Sequence, residues 1–402
     1  MKYVPIPVQM LAIGSPLPVD VWSASGQLLL KKGQPVLSEE HRGKLHAFNA
    51  SSTPSDALAW QRAYERMVHA MMRDGVDIAE IAKAPMPSEI AEADYVVGQE
   101  ADGGWLDVQA VLRGILYQGG LAINPLSRLV GVQTKALALL KHDTDDSLFC
   151  LYQALTDDSL GYCATHALLC FVACELAAEK LNLSTAVRQP LRTAALTMNI
   201  AMAREQDCMT RQASALTTWQ RKLIKEHPAM AVDLIKAFGL TDEDLLDIVR
   251  WHHTPEEAEA LPRNHLSRQL LSLADGFVAQ TAARKTRVAR SAVKAVKAMV
   301  LGAEGSAIGV SSALAQAVGF YPPGTYVELL NGEIAVSVQR GLRANTPWAI
   351  PIVDKDGIPI ARYVCRDTAE TIYTPRTAVT FDKIKVTVNA EKVRRARERI
   401  PR

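Results

Sequence analysis

Three textures of hydrophobic pattern follow one another along the 402-residue chain. In the first 50 residues apolar positions alternate. Leu17, Val19 and Val21 are offset by Asp20, the turn pair Ser25-Gly26 follows, and then the run Leu28-Leu29-Leu30. A period of two predicts strands, so 1–50 reads as a β-rich N-terminal module. The polar stretch 49–55, with Pro54, reads as a hinge, and 55–104 as helix and linker. Tyr64, Met67, Val68 and Met71 share a helical face that Gly75 stops, and Pro85-Met86-Pro87 opens the linker.

From Trp105 to Gly319 the period lengthens to that of a helix. The segments 105–117, 126–141, 146–155, 160–181, 187–203, 218–238, 242–253, 266–284 and 287–301 each carry an apolar face. Gly239 followed by Thr241-Asp242-Glu243-Asp244 marks a helix end and the next helix's N-cap, with acidic residues on the positive end of its dipole. Beyond Gly319 the strand texture returns over 320–388. Tyr321-Pro322-Pro323-Gly324 is a turn, Asn331-Gly332 between two apolar runs predicts a hairpin, and Asp356-Gly357 a second turn. The end, 389–402, carries Lys392, Arg394, Arg395, Arg397, Arg399 and Arg402 and reads as a frayed basic tail. The expected fold is therefore mainly α, a helical bundle with a small N-terminal β-rich leader and a short C-terminal β tail.

Composition narrows the picture only a little. Charged residues make up 22% and hydrophobic residues 48%, with a net charge of +2, which is ordinary globular usage and argues for no particular polyanionic partner. No signal-peptide pattern and no uninterrupted apolar run of about 20 residues is visible, so a soluble, cytoplasmic protein is expected, with no membrane partner. Six cysteines occur without a CxxC pair. Cys170 and Cys174, four apart on an apolar helix, read as buried free thiols.

Histidines bring in candidate chemistry. His166 sits inside a long apolar helix, His227 precedes Pro228, His252 and His253 are adjacent, and Asp275 follows in Leu271-Ser272-Leu273-Ala274-Asp275. Imidazoles and a carboxylate on separate helices of one bundle are the ingredients of a metal site built between helices. The bland alternative is a set of remnants hydrogen-bonded in a polar core.

The order of these residues, from about Asp157 to Pro359, resembles the HD-GYP group of the HD phosphohydrolase superfamily, and the Tyr321–Gly324 and Asn331-Gly332-Glu333 turns resemble the short β tail that often follows it. The resemblance implies an HD-type bundle in which iron or manganese ions activate water to hydrolyse cyclic di-GMP. It maps the metal ligands onto His166, His227, His252, His253 and Asp275. It also exposes departures. The family's Leu-His-Asp-Ile-Gly-Lys stretch stands here as Thr197-Met198-Asn199-Ile200-Ala201-Met202. Met198 is a soft thioether where a histidine is expected, Asn199 is a neutral amide where a carboxylate would bridge two cations, and Met202 replaces the phosphate-contacting lysine. The loop after His253 contains no glycine or tyrosine from Thr254 to Pro262 and is acidic.

These departures favour a catalytically inactive module in bacterial signalling, needing no cofactor and working through a protein partner such as a diguanylate cyclase or through cyclic di-GMP sensing. The alternative is a metal-dependent phosphohydrolase with an altered site, holding iron or manganese on the five residues above. A third reading is nucleic-acid contact through the basic tail and through Arg284, Arg287, Arg290, Lys294 and Lys297, whose spacing also suits an anion-binding stripe or simply a solvated helix face. His142-Asp143 is an HD dipeptide out of order and reads as a solvated helix cap.

Overall fold

The computed structural model describes residues 3–73, 76–90, 103–122, 124–157, 160–282, 291–302 and 304–401. Two compact units divide the chain, Met1–Gln99 and Glu100–Arg402.

In the first unit, four short antiparallel strands, β1 (Val4–Pro5), β2 (Val21–Trp22), β3 (Leu28–Leu30) and β4 (Ser51–Ser52), form a sheet in the order β1-β4-β2-β3. Between β3 and β4 lies α1 (Glu39–Ala47), capped by the Ser38 side chain, which accepts from the His41 N–H. Helices α2 (Pro54–Arg73) and α3 (Ile78–Ile81) follow. The alternation read from sequence holds, with Leu17, Val19 and Val21 buried in one core with Val36, Leu45 and Trp60.

Two expectations need correction in this unit. Residues 49–55 are not a hinge: Ser51 and Ser52 pair in the sheet, and their hydroxyls donate to the Asn49 and Asp20 carbonyls, which is how polar residues come to be buried. The start of the supposed linker is also tied down. Met86 lies in the core, and Trp60 Nε1 donates to the Pro87 carbonyl at 2.7 Å.

The second unit is a helical bundle with a sheet after it. The helices are α4 (Trp105–Gln118), α5 (Pro125–His142), α6 (Thr144–Ala154), α7 (Tyr162–Lys180), α8 (Thr185–Thr197), α9 (Ala203–Arg211), α10 (Thr218–Ala237), α11 (Glu243–Trp251), α12 (His265–Thr281), α13 (Ala292–Leu301) and α14 (Ala307–Val318). Every residue from Tyr162 to Ala178 is buried, and α7 is the axis against which α4, α6, α8, α9, α12 and α14 pack. A helix apolar on all sides belongs in an interior. By length and mean composition α7 would suit a bilayer, although no uninterrupted apolar run occurs, but 94% of its apolar window is buried inside the bundle.

The helix expected over 187–203 is interrupted. α8 ends at Thr197, Met198 and Asn199 form a turn, and 200–202 is a single 3₁₀ turn before α9. Of the basic stripe, Arg284, Arg287 and Arg290 lie outside the described residues. Lys294 and Lys297 are exposed on α13, while Ala292, Ala295, Val296 and Met299 face the core.

The C-terminal sheet has five antiparallel strands, β5 (Tyr326–Leu329), β6 (Ile334–Gln339), β7 (Trp348–Val353), β8 (Arg366–Asp367) and β9 (Pro375–Val379), in the order β8-β7-β6-β5-β9. The Asn331-Gly332 turn joins β5 to β6, with Gly332 at φ +87°. Gly324 has a different reason to be glycine. At φ +93° its backbone presses on α6, where an added Cβ would meet Tyr152 Cβ at 2.7 Å and the Phe149 carbonyl at 2.8 Å.

The basic end is not frayed. Residues Ala390–Arg397 form α15, capped by Asn389, with Val393, Ala396 and Ile400 buried against the sheet. Arg394 and Arg397 pair with Asp146 and Asp143 at the start of α6, which disposes of those cations within the chain. Asp143 also caps α6, accepting from the Asp146 N–H, so His142-Asp143 is a cap as expected.

Candidate functional site

Helix ends place the histidines. His227 lies within α10 just before Pro228, and His252 is the C-cap of α11, followed by His253. α10 packs on α11, and α11 on α8 and α12, so the three imidazoles converge. One ligand nitrogen from each of His227, His252 and His253 lies within 4.8 Å of the others, and the His252 and His253 ring centroids are 4.1 Å apart.

The tautomers follow from the partners. His227 Nδ1 is 2.8 Å from the Ile224 carbonyl and His252 Nδ1 is 2.7 Å from the Val249 carbonyl. A carbonyl only accepts, so each Nδ1 carries the proton and each neutral ring presents an unprotonated Nε2. Both Nε2 atoms are buried without a hydrogen-bond partner. This backbone-fixed tautomer is the form in which histidine binds a metal. Burial, reinforced by the neighbouring imidazoles, lowers the His227 pKa to about 3 and that of His252 to about 4, so near neutral pH the lone pairs stay available.

His166 and Asp275 form a second group. His166 Nε2 donates to Asp275 Oδ1 at 2.8 Å, and Tyr162 OH lies 2.8 Å from the other ring nitrogen. Cys170 Sγ is 3.5 Å from Nε2. Burial pushes the Asp275 carboxyl up, but the His166 hydrogen bond and the fields of His166, His252 and His253 outweigh it and hold the group below the usual carboxylate range. Burial drives the Cys170 thiol well above its ordinary pKa, so in the metal-free chain it stays protonated.

The replaced positions are all buried. Met198 is fully enclosed, Met202 is nearly so, and the turn at 200–202 packs on the helix that carries His227. Asn199, 3% exposed, has neither amide atom hydrogen-bonded. The five sequence-derived ligand positions are therefore reached, but as two groups: three free imidazoles, and a His–Asp pair satisfied internally. The free set fits one divalent cation. The group of His166, Asp275 and Cys170 is a second set of donor atoms close enough together for one cation, and among the described residues no carboxylate is shared between the two sets.

Sequence reasoning missed the residues that fix the loop after His253. Asp247 accepts from Arg268 Nη1 at 2.6 Å, from the Leu261 N–H and from Asn264, while Arg268 also donates to the Pro255 and Leu261 carbonyls. Nothing local in the sequence announces a pair 21 residues apart. Tyr162 and Cys170 were legible, since they flank His166 at i−4 and i+4 on one helix stripe.

No protein-family model matches the sequence, and no curated protein matches it. Among solved structures the chain is similar to "Bd1817, a HDG"Y"P protein from Bdellovibrio bacteriovorus", with 13% identity and a TM-score of 0.39 over 78% of this chain and 98% of that one.

Proposed function

We propose that the helical unit is a degenerate HD-GYP-like module that has lost metal-bridged hydrolysis of cyclic di-GMP and serves as a binding or interaction module in bacterial cytoplasmic signalling. The observation that carries this is the amide of Asn199, buried and unbonded where a bridging carboxylate would stand. A two-metal mechanism needs an anionic ligand to hold two cations close together, and a neutral amide supplies no such charge. A diguanylate cyclase is the protein partner this reading suggests, and cyclic di-GMP binding without turnover is its ligand form.

One observation favours the altered-site phosphohydrolase as a second reading, namely the two orphaned, buried Nε2 atoms of His227 and His252. With His253 they would hold a single iron or manganese ion, whose chemistry when bound is to acidify water and polarise a phosphoryl oxygen. The chain's own contribution is to keep those rings neutral and oriented through Ile224 and Val249.

Metal analysis of protein purified anaerobically without chelator separates the readings. At most one ion per chain, with no cyclic di-GMP turnover, supports the degenerate module. Two ions per chain would overturn it, and one ion with chelator-sensitive turnover would move the conclusion to the second reading.

A further inference from the structure

Cys170 lies outside the five positions to which the family resemblance assigns metal ligands, yet its sulfur stands among them. It follows His166 by four residues on α7, so both side chains leave one helix stripe. Asp275 on α12 completes a set whose three donor atoms lie within 4.8 Å of one another. His166 Nε2 is 3.5 Å from Cys170 Sγ and 2.8 Å from Asp275 Oδ1. Around a tetrahedral zinc ion, nitrogen or oxygen at about 2.0–2.1 Å and sulfur at about 2.3 Å stand roughly 3.3–3.6 Å apart. The nitrogen–sulfur separation already has that value, and the nitrogen–oxygen one must open by about half an ångström.

Charge decides between this set and the three imidazoles. Imidazoles bind metal as neutral rings, so His227, His252 and His253 leave the charge of a dication uncompensated. Asp275 is ionised, and a coordinated thiol is deprotonated outright, so the set with Cys170 brings two negative charges. A buried charge needs that pairing. Sulfur also sets the class of ion: thiolate with imidazole suits zinc, whereas manganese suits carboxylate and water oxygens. His166 and Cys170 are fully buried, and the Asp275 side chain, 18% exposed, is the edge by which an ion enters.

Tyr162 accommodates the change of tautomer. Its hydroxyl lies 2.8 Å from His166 Nδ1 and can donate or accept. With Nε2 on a metal, the ring proton sits on Nδ1 and is donated to the Tyr162 oxygen, and the Cys170 proton passes to solvent.

We propose that His166, Cys170 and Asp275 form a zinc site with Cys170 as its thiolate ligand. The proposal rests on the degenerate-module reading, in which the chain holds at most one ion, and it places that ion here rather than on the three imidazoles.

The test titrates cobalt(II) into the full chain, stripped of metal and kept reduced, in a Cys208→Ser background because Cys208 is an exposed thiol. The first equivalent should raise a near-ultraviolet thiolate-to-cobalt charge-transfer band, and one equivalent of zinc should abolish it. Cys170→Ser and Cys170→Ala should each lack the band while keeping the parent's circular dichroism. Both should bind zinc at least ~100-fold more weakly in competition with a chromophoric chelator, since loss of a supporting group alone costs about 10–100-fold. A first equivalent that shows only the ligand-field bands of a nitrogen site, or parental zinc affinity in the folded Cys170 variants, would overturn the assignment. Failure of the degenerate-module reading is seen separately, as a second bound ion or as cyclic di-GMP turnover, and neither removes the band.

Discussion

His166 Nε2 donates to Asp275 Oδ1 at 2.8 Å, and in the metal-free chain each group is the other's hydrogen-bond partner. Asp275→Ala leaves a buried N–H without its acceptor and removes the charge that orients the ring. In metal-free protein it should lower stability by about 1–3 kcal/mol, measured by urea denaturation. If Asp275 served only a metal, the same protein would show no loss.

Asn199 argues in the opposite direction. Its amide makes no hydrogen bond in the folded chain, so folding gains nothing from it and loses its hydration. Asn199→Leu is therefore expected to be neutral or stabilising by up to about 1 kcal/mol in the same denaturation experiment. A clear destabilisation would mean that the amide is bonded after all.

Much of this architecture was legible because it is local. The Gly239 stop and an N-cap within Thr241–Asp244 appear where the sequence put them, with Gly239 at φ +89° and the cap falling on Asp242, whose side chain accepts from the Asp244 and Leu245 N–H groups. The Asn331-Gly332 hairpin likewise follows from two residues. The five ligand-like positions were legible by order, but their division into two groups was not, because the tautomers depend on the Ile224 and Val249 carbonyls and on Asp275, 109 residues beyond His166. The C-terminal helix was misread for the same reason: Arg394 and Arg397 find their acids about 250 residues earlier, at Asp146 and Asp143, and a run of arginines alone looks solvated. The break after Thr197 was hidden by a continuous apolar pattern through Met202.

Arg268 and Asp247 hold the loop that follows His253. Both side chains are buried, at 3% and 6% exposure, and removing one strands the other. Arg268→Ala should cost about 3–5 kcal/mol and make residues 254–264 the first site of limited proteolysis. Replacing both together with apolar residues should recover part of the stability while leaving the loop cleavable.

The imidazole cluster imposes a pH dependence on metal-stripped protein. His227 and His252 titrate near 3 and 4 in the folded chain, against an ordinary value of 6.5. Below pH 6.5 the unfolded chain therefore binds protons that the folded chain refuses. Stability is fully present above that pH and falls as the pH drops from 6.5 towards 4, by an amount on the order of a few kcal/mol. Substituting phenylalanine for both histidines should flatten that slope in denaturation curves collected from pH 7 to pH 4.

The claim that metal-bridged chemistry has been lost meets its most direct test in cyclic di-GMP turnover. The full chain, purified anaerobically and supplied with manganese or ferrous iron, is assayed for linear and mononucleotide products. The expected result is no hydrolysis above the chelator-treated control. Chelator-sensitive hydrolysis that disappears in His252→Ala would contradict it.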